Sequence, residues 1–390
     1  MRNILVTSAG TRVAYAICKS LARKGLRVYA GDSAFLPMTA FSRHCAGAFR
    51  YASPFTDQEH FWNDLTSFLR RKQIDVLIPV LEETYCLART PERLPAGVHT
   101  LLPRYAHVLA VHDKARLHDL ARSLGIPVPQ TRELSDVMDE PARHLNGFPF
   151  PALLKPRQGG GGWAMRRVTD AASLERALAE KDFSAERFVL QQEIAGDVVC
   201  VCAIYKDGRR IAADAYKTLR SYPHPYGQAT LRVSLPGGPA LDHLTALLDH
   251  LNWNGVCEAD FLRDNAGRFF LLDVNPRFWG SLTQNIAAGV DYPDYYRRLA
   301  AGECDFATGQ SIPGIHTRWL GGDLMRLAAA FARGPDRLGL LRRGLSNSEK
   351  ARECDDWSLA DPLPFLVWTV RQCGNKLLGK QPDALPGVWC

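Results

Sequence analysis

The sequence Leu271-Leu272-Asp273-Val274-Asn275-Pro276-Arg277 begins as an apolar strand and ends in polar side chains. A second apolar stretch, residues 255–262, precedes it and contains Asp260, and the turn sequence Asp-Asn-Ala-Gly lies between the two stretches. Together they predict a β-hairpin with neighbouring strands. Because side chains alternate along a strand, Asp273 and Asn275 share one face, and the hairpin brings that face beside Asp260.

The oxygen-bearing side chains of this hairpin predict a divalent-cation site. Mg²⁺ prefers few protein carboxylates combined with nucleotide phosphates, and adjacent carboxylates repel one another unless a cation lies between them. We therefore expect Asp260, Asp273 and Asn275 to bind the metal. A solvated acidic hairpin is disfavoured because both strands are otherwise apolar. The guanidinium of Arg277 is predicted to hold a transferring phosphoryl group, and a salt bridge to Asp273 is the alternative.

A glycine-rich loop is predicted within residues 153–162. An apolar strand delivers Lys155, and Gly159-Gly160-Gly161-Gly162 follow, whose bare backbone amides can approach phosphate oxygens. The loop is not a Walker A motif, since no Gly-Lys-Ser/Thr follows the glycines. A flexible hairpin tip is the alternative interpretation.

A strand that runs into a polar hinge is predicted within residues 188–197. Backbone groups at such a hinge pair with the edge of adenine, and a carboxylate just beyond it accepts from ribose hydroxyls. An ordinary strand end is the alternative. The residues concerned are Gln191, Gln192, Glu193, Ile194 and Asp197.

The first ~105 residues show the alternation of a doubly wound parallel sheet. Strand patterns at residues 3–7, 26–30 and 75–80 alternate with helical patterns at 12–24 and 57–71. Ligands of such sheets bind beyond the carboxyl ends of the strands, where the polar side chains are Ser8, Asp32, Glu82 and Glu83. The first turn lacks the GxGxxG spacing, which disfavours a dinucleotide site.

The remaining chain is predicted to change twice in character. After a helix that ends at Leu124-Gly125, the proline-bearing segment 126–129 is forced into an extended conformation and marks a domain boundary. Residues 198–219 and 255–274 predict antiparallel hairpins, backed by a helix at 241–251. Beyond about residue 302 the chain is predicted to be helical and is rich in arginine.

Composition and charge exclude several classes of protein. Hydrophobic residues make up 46% and charged residues 23%, as in a folded globular protein. No stretch approaches ~18 uninterrupted apolar residues, and the N-terminus does not resemble a secretion signal, so a cytoplasmic location is expected. The net charge of +7 suits an anionic small substrate, whereas the absence of interleaved aromatic residues disfavours nucleic-acid binding. The ten cysteines lack a CxxC pair and are expected to be buried free thiols.

In this order the motifs resemble the ATP-grasp superfamily over about residues 1–300, most specifically at the Asp-x-Asn-Pro-Arg ending. The chain is most similar to single-copy enzymes that resemble one half of the carbamoyl-phosphate synthase large subunit, among them carboxylate–amine ligases. The resemblance implies an α/β and α+β fold of four parts. These are a Rossmann-like domain (1–110), a linker helix and small lid subdomain (111–190), a large antiparallel-sheet subdomain (191–302) and a C-terminal helical extension (303–390).

The resemblance also implies roles for individual residues. Lys114 and Lys155 would contact phosphates, and residues 159–162 would form the lid loop. Residues 191–194 would hold adenine through the backbone, and Asp197 would bind ribose. The metal ligands would be Asp260, Asp273 and Asn275, and Arg277 would lie beside the reacting phosphate.

Two departures from the family pattern affect these roles. Family members usually carry glutamate or glutamine where this chain has Asp260 and Asp273, so the shorter side chains would shift the metal or recruit Glu258 to the nucleotide and its cation. Ribose is more often bound by glutamate than by an aspartate such as Asp197.

The implied activity is that of a ligase dependent on ATP and Mg²⁺ (or Mn²⁺). It would convert a carboxylate into an acyl phosphate, which an amine then attacks with release of ADP and phosphate. The expected partners are a small-molecule carboxylate and an amine, with a homodimer as the candidate assembly and with neither nucleic acid nor membrane. Candidate substrate contacts are Glu82 or Glu83 for the amine and Arg220 and Arg232 for the acid. Phosphorylation of bicarbonate or carbamate and nucleotide binding without catalysis stay open as alternatives.

Overall fold

The computed structural model describes residues 2–159, 165–179, 185–333 and 351–377. Gly160, Gly161 and Gly162 lie outside the described residues, so the phosphate contacts of that loop stay predictions. Within the described ranges the chain forms three β-sheets with helices packed against them.

The N-terminal unit is a four-stranded parallel sheet, as the alternation of strand and helix patterns predicted. Its strands are β1 (Asn3–Val6), β2 (Arg27–Asp32), β3 (Gly47–Arg50) and β4 (Val76–Ile78), in the order β3-β2-β1-β4. Its helices are α1 (Arg12–Ala22), α2 (Gln58–Arg71) and α3 (Glu83–Arg89). Ile4 and Val6 of β1 pack in one core with Ile17 of α1, which fixes the loop between that strand and helix.

The second sheet lies in the segment predicted to form the lid and is antiparallel with four strands. Its strands are β5 (Thr131–Glu133), β6 (Ala152–Pro156), β7 (Arg166–Val168) and β8 (Phe188–Gln192), in the order β5-β8-β6-β7. Its helices are α6 (Leu134–Asp139), α7 (Pro141–Leu145) and α8 (Ala171–Leu178), whereas α4 (Tyr105–His112) and α5 (Lys114–Ser123) precede this sheet and pack against the large sheet. Asp113 caps α5 by accepting from the backbone N–H groups of Ala115 and Arg116, so that the helix begins at Lys114.

The large sheet has seven strands in the order β13-β12-β9-β10-β11-β14-β15. They are β9 (Gly196–Lys206), β10 (Arg209–Tyr222), β11 (Gln228–Leu235), β12 (Gly255–Asp264), β13 (Phe269–Asn275), β14 (His316–Arg318) and β15 (Ala351–Cys354). Helix α9 (Pro239–His250) packs Leu244 and Leu247 into one core with Val201 and Phe261, as its apolar spacing predicted. Helices α10 (Leu282–Ala288) and α11 (Tyr292–Ala300) follow the hairpin β12–β13.

The C-terminal part is not only helical, which corrects the prediction of a helical extension at 303–390. Strand β14 pairs antiparallel with β11, and β15 pairs parallel with β14, so this part extends the large sheet. Helices α12 (Leu320–Arg333) and α13 (Leu363–Leu377) form its helical portion. Both strands are short and polar, and pairing with an existing sheet edge takes the place of the apolar alternation that marks longer strands.

The cysteines divide into buried and exposed groups. The expected buried free thiols are found at Cys18, Cys200, Cys202 and Cys257. The expectation is wrong for two others, because Cys304 and Cys373 are exposed. No helix among the described residues combines the length and the apolar character that spanning a bilayer requires.

Candidate active site

A cavity of about 980 Å³ lies between the N-terminal sheet, the lid and the large sheet. Its volume is at the upper end of the ~300–1,000 Å³ range of small-molecule sites. Most of the residues singled out from the sequence line it, so the motifs do converge in space. They are Glu82, Lys114, Lys155, Gly159, Gln191, Gln192, Glu193, Ile194, Glu258, Asp260, Asp273, Asn275 and Arg277.

The hairpin β12–β13 presents four oxygen-bearing side chains to this cavity. Its register places Asp260 opposite Asp273 and Glu258 opposite Asn275. The amide of Asn275 donates to Glu258 (Nδ2–Oε2 3.2 Å), which leaves its Oδ1 atom available as a ligand. Tyr216 of β10 donates to the same carboxylate (Oη–Oε1 2.6 Å) and fixes its position.

These carboxylates are held where their charge is unfavourable without a cation. Burial, followed by the charge of Asp260, raises the pKa of Glu258 to about 8, and burial also raises the pKa of Asp260. Cys200 donates to Asp260 (Sγ–Oδ1 3.0 Å), and ligand atoms of Cys200, Glu258 and Asp260 lie within 4.8 Å of one another. Hard oxygen donors in this state fit Mg²⁺ or Mn²⁺. Asp260, Asp273, Asn275 and Glu258 are the residues that would hold the ion.

Two buried lysines bring positive charge to the same cavity. Lys114, at the start of α5, forms an ion pair with Asp273 (Nζ–Oδ2 3.3 Å) and donates to the carbonyl oxygen of Gly159 (2.8 Å). Lys155 of β6 donates to Gln191 (Nζ–Oε1 3.0 Å). Burial, followed by the charge of Lys114, lowers the pKa of Lys155 to about 8. Cations in a buried cleft that also contains a candidate metal site suit a polyphosphate.

The depressed pKa of Lys155 predicts proton uptake when ATP binds. In the free protein Lys155 loses its charge as the pH rises through about 8, whereas a bound polyphosphate stabilises the charged form. We expect ATP binding to take up protons above that pH, and the affinity to fall as the pH rises further. Calorimetry in two buffers of different ionisation enthalpy measures the uptake, and Lys155→Arg, which stays charged, should remove it. Protons that Glu258 releases on binding would affect both proteins equally. Equal net uptake by both proteins would therefore contradict the role of Lys155.

The hinge after β8 offers fewer unused backbone groups than the sequence predicted. The N–H groups of Gln192 and Glu193 donate to the carbonyl oxygens of Gln130 (2.8 Å) and Pro151 (2.9 Å). In the described part of the chain the N–H of Ile194 has no backbone partner, and this residue lines the cavity. Adenine recognition at this hinge would therefore use the Ile194 N–H and backbone carbonyl oxygens.

Arg277 and Glu82 lie together where β13 and β4 end. The Arg277 Nε atom is 3.6 Å from Glu82 Oε1, which is too long for a hydrogen bond. Arg277 Nη1 donates to the carbonyl oxygen of Phe278 (3.0 Å). Arg277 Nε and Glu82 Oε2 are buried without hydrogen-bond partners among the described residues. Such groups are costly unless a ligand completes them, so this pair is a candidate contact for the reacting groups.

The prediction that Asp197 binds ribose is not supported by its orientation. Gly196 and Val198 line the cavity, and strand alternation turns the Asp197 side chain to the opposite face. There its carboxylate accepts from Lys217 (Oδ2–Nζ 2.7 Å), and 54% of the side chain is exposed. Glu193 is the acidic residue of this segment that does line the cavity.

Glu83 is also turned away from the cavity, which corrects its assignment to the amine. It is buried and accepts hydrogen bonds from the hydroxyl groups of Thr7, Ser8 and Tyr51. Burial, followed by the charge of Asp32, raises the pKa of Glu83 to about 8. Glu83 therefore organises the loop after β1, whereas its neighbour Glu82 faces the cavity.

The two arginines assigned to the acid substrate are structural. Arg220 is paired with Asp323 through Nε (3.0 Å) and Nη2 (2.7 Å) and does not line the cavity. Arg232 is fully buried and forms a bidentate ion pair with Asp355 (Nη1–Oδ2 2.8 Å and Nη2–Oδ1 2.7 Å). Both partners come from the C-terminal part, whose role was not readable from the sequence.

This pairing predicts that Arg232→Met destabilises the fold. The substitution leaves Asp355 buried, with Arg12 as a remaining partner at 3.2 Å, so we expect a loss of about 3 kcal/mol in the free energy of unfolding. Urea unfolding measures the loss. The control Arg209→Met, at the exposed first residue of β10, should change the free energy of unfolding by less than about 0.5 kcal/mol. Unchanged stability with a raised KM for the acid would restore the substrate-binding assignment.

The chain is similar to known proteins in part of its sequence and in its fold. No protein-family model matches the chain. Over 230 residues it is 29% identical to vancomycin C-type resistance protein VanC1 of Enterococcus gallinarum, covering 53% of this chain and 65% of the relative. Over 172 residues it is 27% identical to D-alanine–D-alanine ligase of Stutzerimonas stutzeri, covering 42% of this chain and 54% of the relative. Both matches span less than two thirds of the relative's length.

Solved structures share the fold at lower sequence identity. The biotin carboxylase domain of Hydrogenobacter thermophilus 2-oxoglutarate carboxylase, solved with MgADP and bicarbonate, gives a TM-score of 0.63 at 18% identity, covering 81% of this chain and 73% of that chain. L-amino acid ligase from Bacillus licheniformis gives a TM-score of 0.60 at 16% identity, covering 81% and 78%. The chain therefore shares the fold of these solved structures, and part of its sequence is similar to both relatives.

Proposed function

We propose that the chain is an ATP-dependent carboxylate–amine ligase. The observation that carries this proposal is the hairpin β12–β13, whose Asp260, Asp273 and Asn275 line one cavity with Lys155 and Arg277. A carboxylate oxygen is a poor leaving group, so an amine displaces it in water only after it has been converted into a phosphate. That phosphoryl transfer suits a site that combines the candidate metal-binding hairpin, the two buried lysines and the Arg277 guanidinium.

The residues of the chain have separate tasks in this reaction. Bound Mg²⁺ would neutralise charge on the nucleotide phosphates. Lys114 and Lys155 hold the phosphates, and Arg277 binds the acyl phosphate with its unused N–H groups. Glu82 accepts a hydrogen bond from the amine and keeps it next to the acyl carbon. The enclosure formed by lid and large sheet excludes water, which would otherwise hydrolyse the acyl phosphate.

Phosphorylation of bicarbonate is a second candidate, favoured by the likeness to a biotin carboxylase domain solved with that anion. Bicarbonate carries no apolar group, whereas this cavity also contains Trp319 and Trp368. An organic acid or amine uses such a surface, so ligation is the preferred proposal. The proposal extends to a cytoplasmic location and a homodimer, since that biotin carboxylase domain is described as a dimer.

Release of phosphate from MgATP separates these activities. The full chain is incubated with single amino acids, with pairs of amino acids and with bicarbonate, and products are identified by mass spectrometry. Release that depends on amino acids and yields an amide supports ligation. Release that requires only bicarbonate supports the second candidate, and silence throughout contradicts both and leaves nucleotide binding alone.

A further inference from the structure

The C-terminal part of the chain is built into the molecule through contacts with distant segments. Asp361 accepts from the Ser42 hydroxyl (2.6 Å) and from the backbone N–H of Arg43 (3.1 Å). Glu353 is ion-paired with the buried Lys19 of α1. These contacts, with the two pairs from Arg220 and Arg232, hold the C-terminal part against both the N-terminal and the large sheet.

This part also forms one wall of the cavity. Trp319, Met325 and Trp368 line it, and the rings of the two tryptophans lie 6.3 Å apart in an edge-to-face arrangement. Gly321 is required beneath Trp368, because a Cβ atom there would lie 2.5 Å from the indole ring. The tryptophan pair is therefore held in place by close backbone approach, and it gives this wall an apolar surface.

A guanidinium group with one unused end lies beside this wall. Arg12 stacks on the Trp319 ring with its Cζ atom 4.0 Å from the ring centroid. Its Nε donates to the carbonyl oxygen of Gly280 (2.8 Å) and is ion-paired with Asp355 (Nε–Oδ2 3.2 Å), and its Nη1 donates to Gln228 Oε1 (3.0 Å). Among the described residues Nη2 has no hydrogen-bond partner, although only 11% of the side chain is exposed. Arg12 and Gln228 both line the cavity.

We propose that Arg12, Trp319, Met325 and Trp368 form a substrate subsite for a carboxylate attached to a large apolar group, such as an amino acid with an aromatic side chain. The proposal rests on the ligase function above and names the class of its amine substrate. Arg12 binds the carboxylate that the product retains, and the tryptophan wall contacts the side chain. Because its Nε and Nη1 atoms are already hydrogen-bonded, the Arg12 side chain loses little conformational entropy when Nη2 binds a carboxylate. This favours a charge-assisted hydrogen bond.

Calorimetric binding tests this subsite without requiring turnover. The probes are phenylalanine (both enantiomers), the matching alanine and phenylalaninamide, titrated into the full chain saturated with Mg²⁺ and a non-hydrolysable ATP analogue. We expect one enantiomer of phenylalanine to bind about 10-fold or more tighter than alanine, because the apolar wall discriminates side-chain size. Phenylalaninamide, which lacks the carboxylate, should bind at least about 100-fold more weakly than phenylalanine, since a site built for that group is left unpaired.

Substitutions on one helix separate the subsite from overall folding. Trp368→Ala should weaken phenylalanine binding about 10-fold and leave alanine binding within about 2-fold, a ratio that partial unfolding does not change. Val370→Ala, on the same helix with 71% of the residue exposed, is the matched control and should change neither. Equal affinity for phenylalanine, alanine and the amide, or no binding of any of them, overturns the proposal. If phosphate release with other amines persisted, the ligase function would stand without this subsite.

Discussion

Replacing Asp273 by asparagine should lower kcat for ATP-dependent phosphate release by about 1,000-fold, or ~4 kcal/mol of transition-state stabilisation. The substitution preserves size and the hydrogen bond that Oδ1 accepts from the Val274 N–H (3.0 Å), but it removes the negative charge. That charge serves both the predicted metal and Lys114, which is ion-paired with Asp273. Because both contacts act on the phosphates during transfer, the loss should appear mainly in kcat. Steady-state kinetics over a range of Mg²⁺ concentrations measures it.

Asp207→Asn is the matched control for this experiment. Asp207 lies in the turn between β9 and β10 with 75% of its side chain exposed, and it does not line the cavity. Its φ of 49° is one that asparagine tolerates, so the control keeps the wild-type fold. Wild-type turnover by Asp273→Asn would show that the hairpin is not the metal site, and the proposed function would lose its main support.

The hairpin was predictable because its evidence is local. Strand alternation and a turn sequence place Asp260, Asp273 and Asn275 on one face, and the register confirms that placement. Cys200 and Tyr216, which fix the carboxylates, were missed because they come from strands β9 and β10. The only sequence signal for Cys200 was its strand pattern, and pairing with Asp260 required the order of strands in the sheet.

The wrong assignments have two physical causes. Charge alone does not reveal depth, and the partners of Arg220 and Arg232 lie more than 100 residues away in sequence, at Asp323 and Asp355. For Asp197 the cause is a strand boundary, because a strand that begins at Gly196 puts this side chain on the face opposite the cavity. A period of apolar residues shows that a strand is present more reliably than it shows where the strand begins. The side chains near that boundary are the ones whose facing towards a ligand is then uncertain from sequence.

The C-terminal part could not be predicted to belong to the site because its contribution depends on tertiary contacts. Trp319 and Trp368 are separated by α12 and β15, and they meet because β14 and β15 pair with the large sheet and Asp361 is bound by Ser42 and Arg43. Their positions relative to Arg12 follow from the same pairing. Aromatic residues at such spacing in a sequence are more often core than ligand contacts, so the local pattern had no means of distinguishing the two.

Arg277→Lys should lower kcat for amide formation by about 100-fold and leave ATP affinity within about threefold. Lysine keeps the positive charge near Glu82 but replaces a planar set of donors by a single flexible ammonium. In the wild type, the bond from Nη1 to the Phe278 carbonyl oxygen orients the guanidinium. The buried Nε, which has no hydrogen-bond partner among the described residues, is therefore fixed in place before a ligand arrives. That preorganisation is what lysine cannot reproduce.

The ratio of amide formed to ADP released gives a second readout for Arg277, which a merely structural role would not move. If Arg277 holds the acyl phosphate until the amine attacks, Arg277→Lys should release ADP with less amide, because the intermediate is lost to water. Arg268→Lys, at the turn of the same hairpin with 70% of its side chain exposed, should keep both kcat and this ratio. An unchanged ratio with a reduced kcat would place Arg277 in ATP binding or in packing rather than beside the acyl phosphate, since only contact with the intermediate couples the two products.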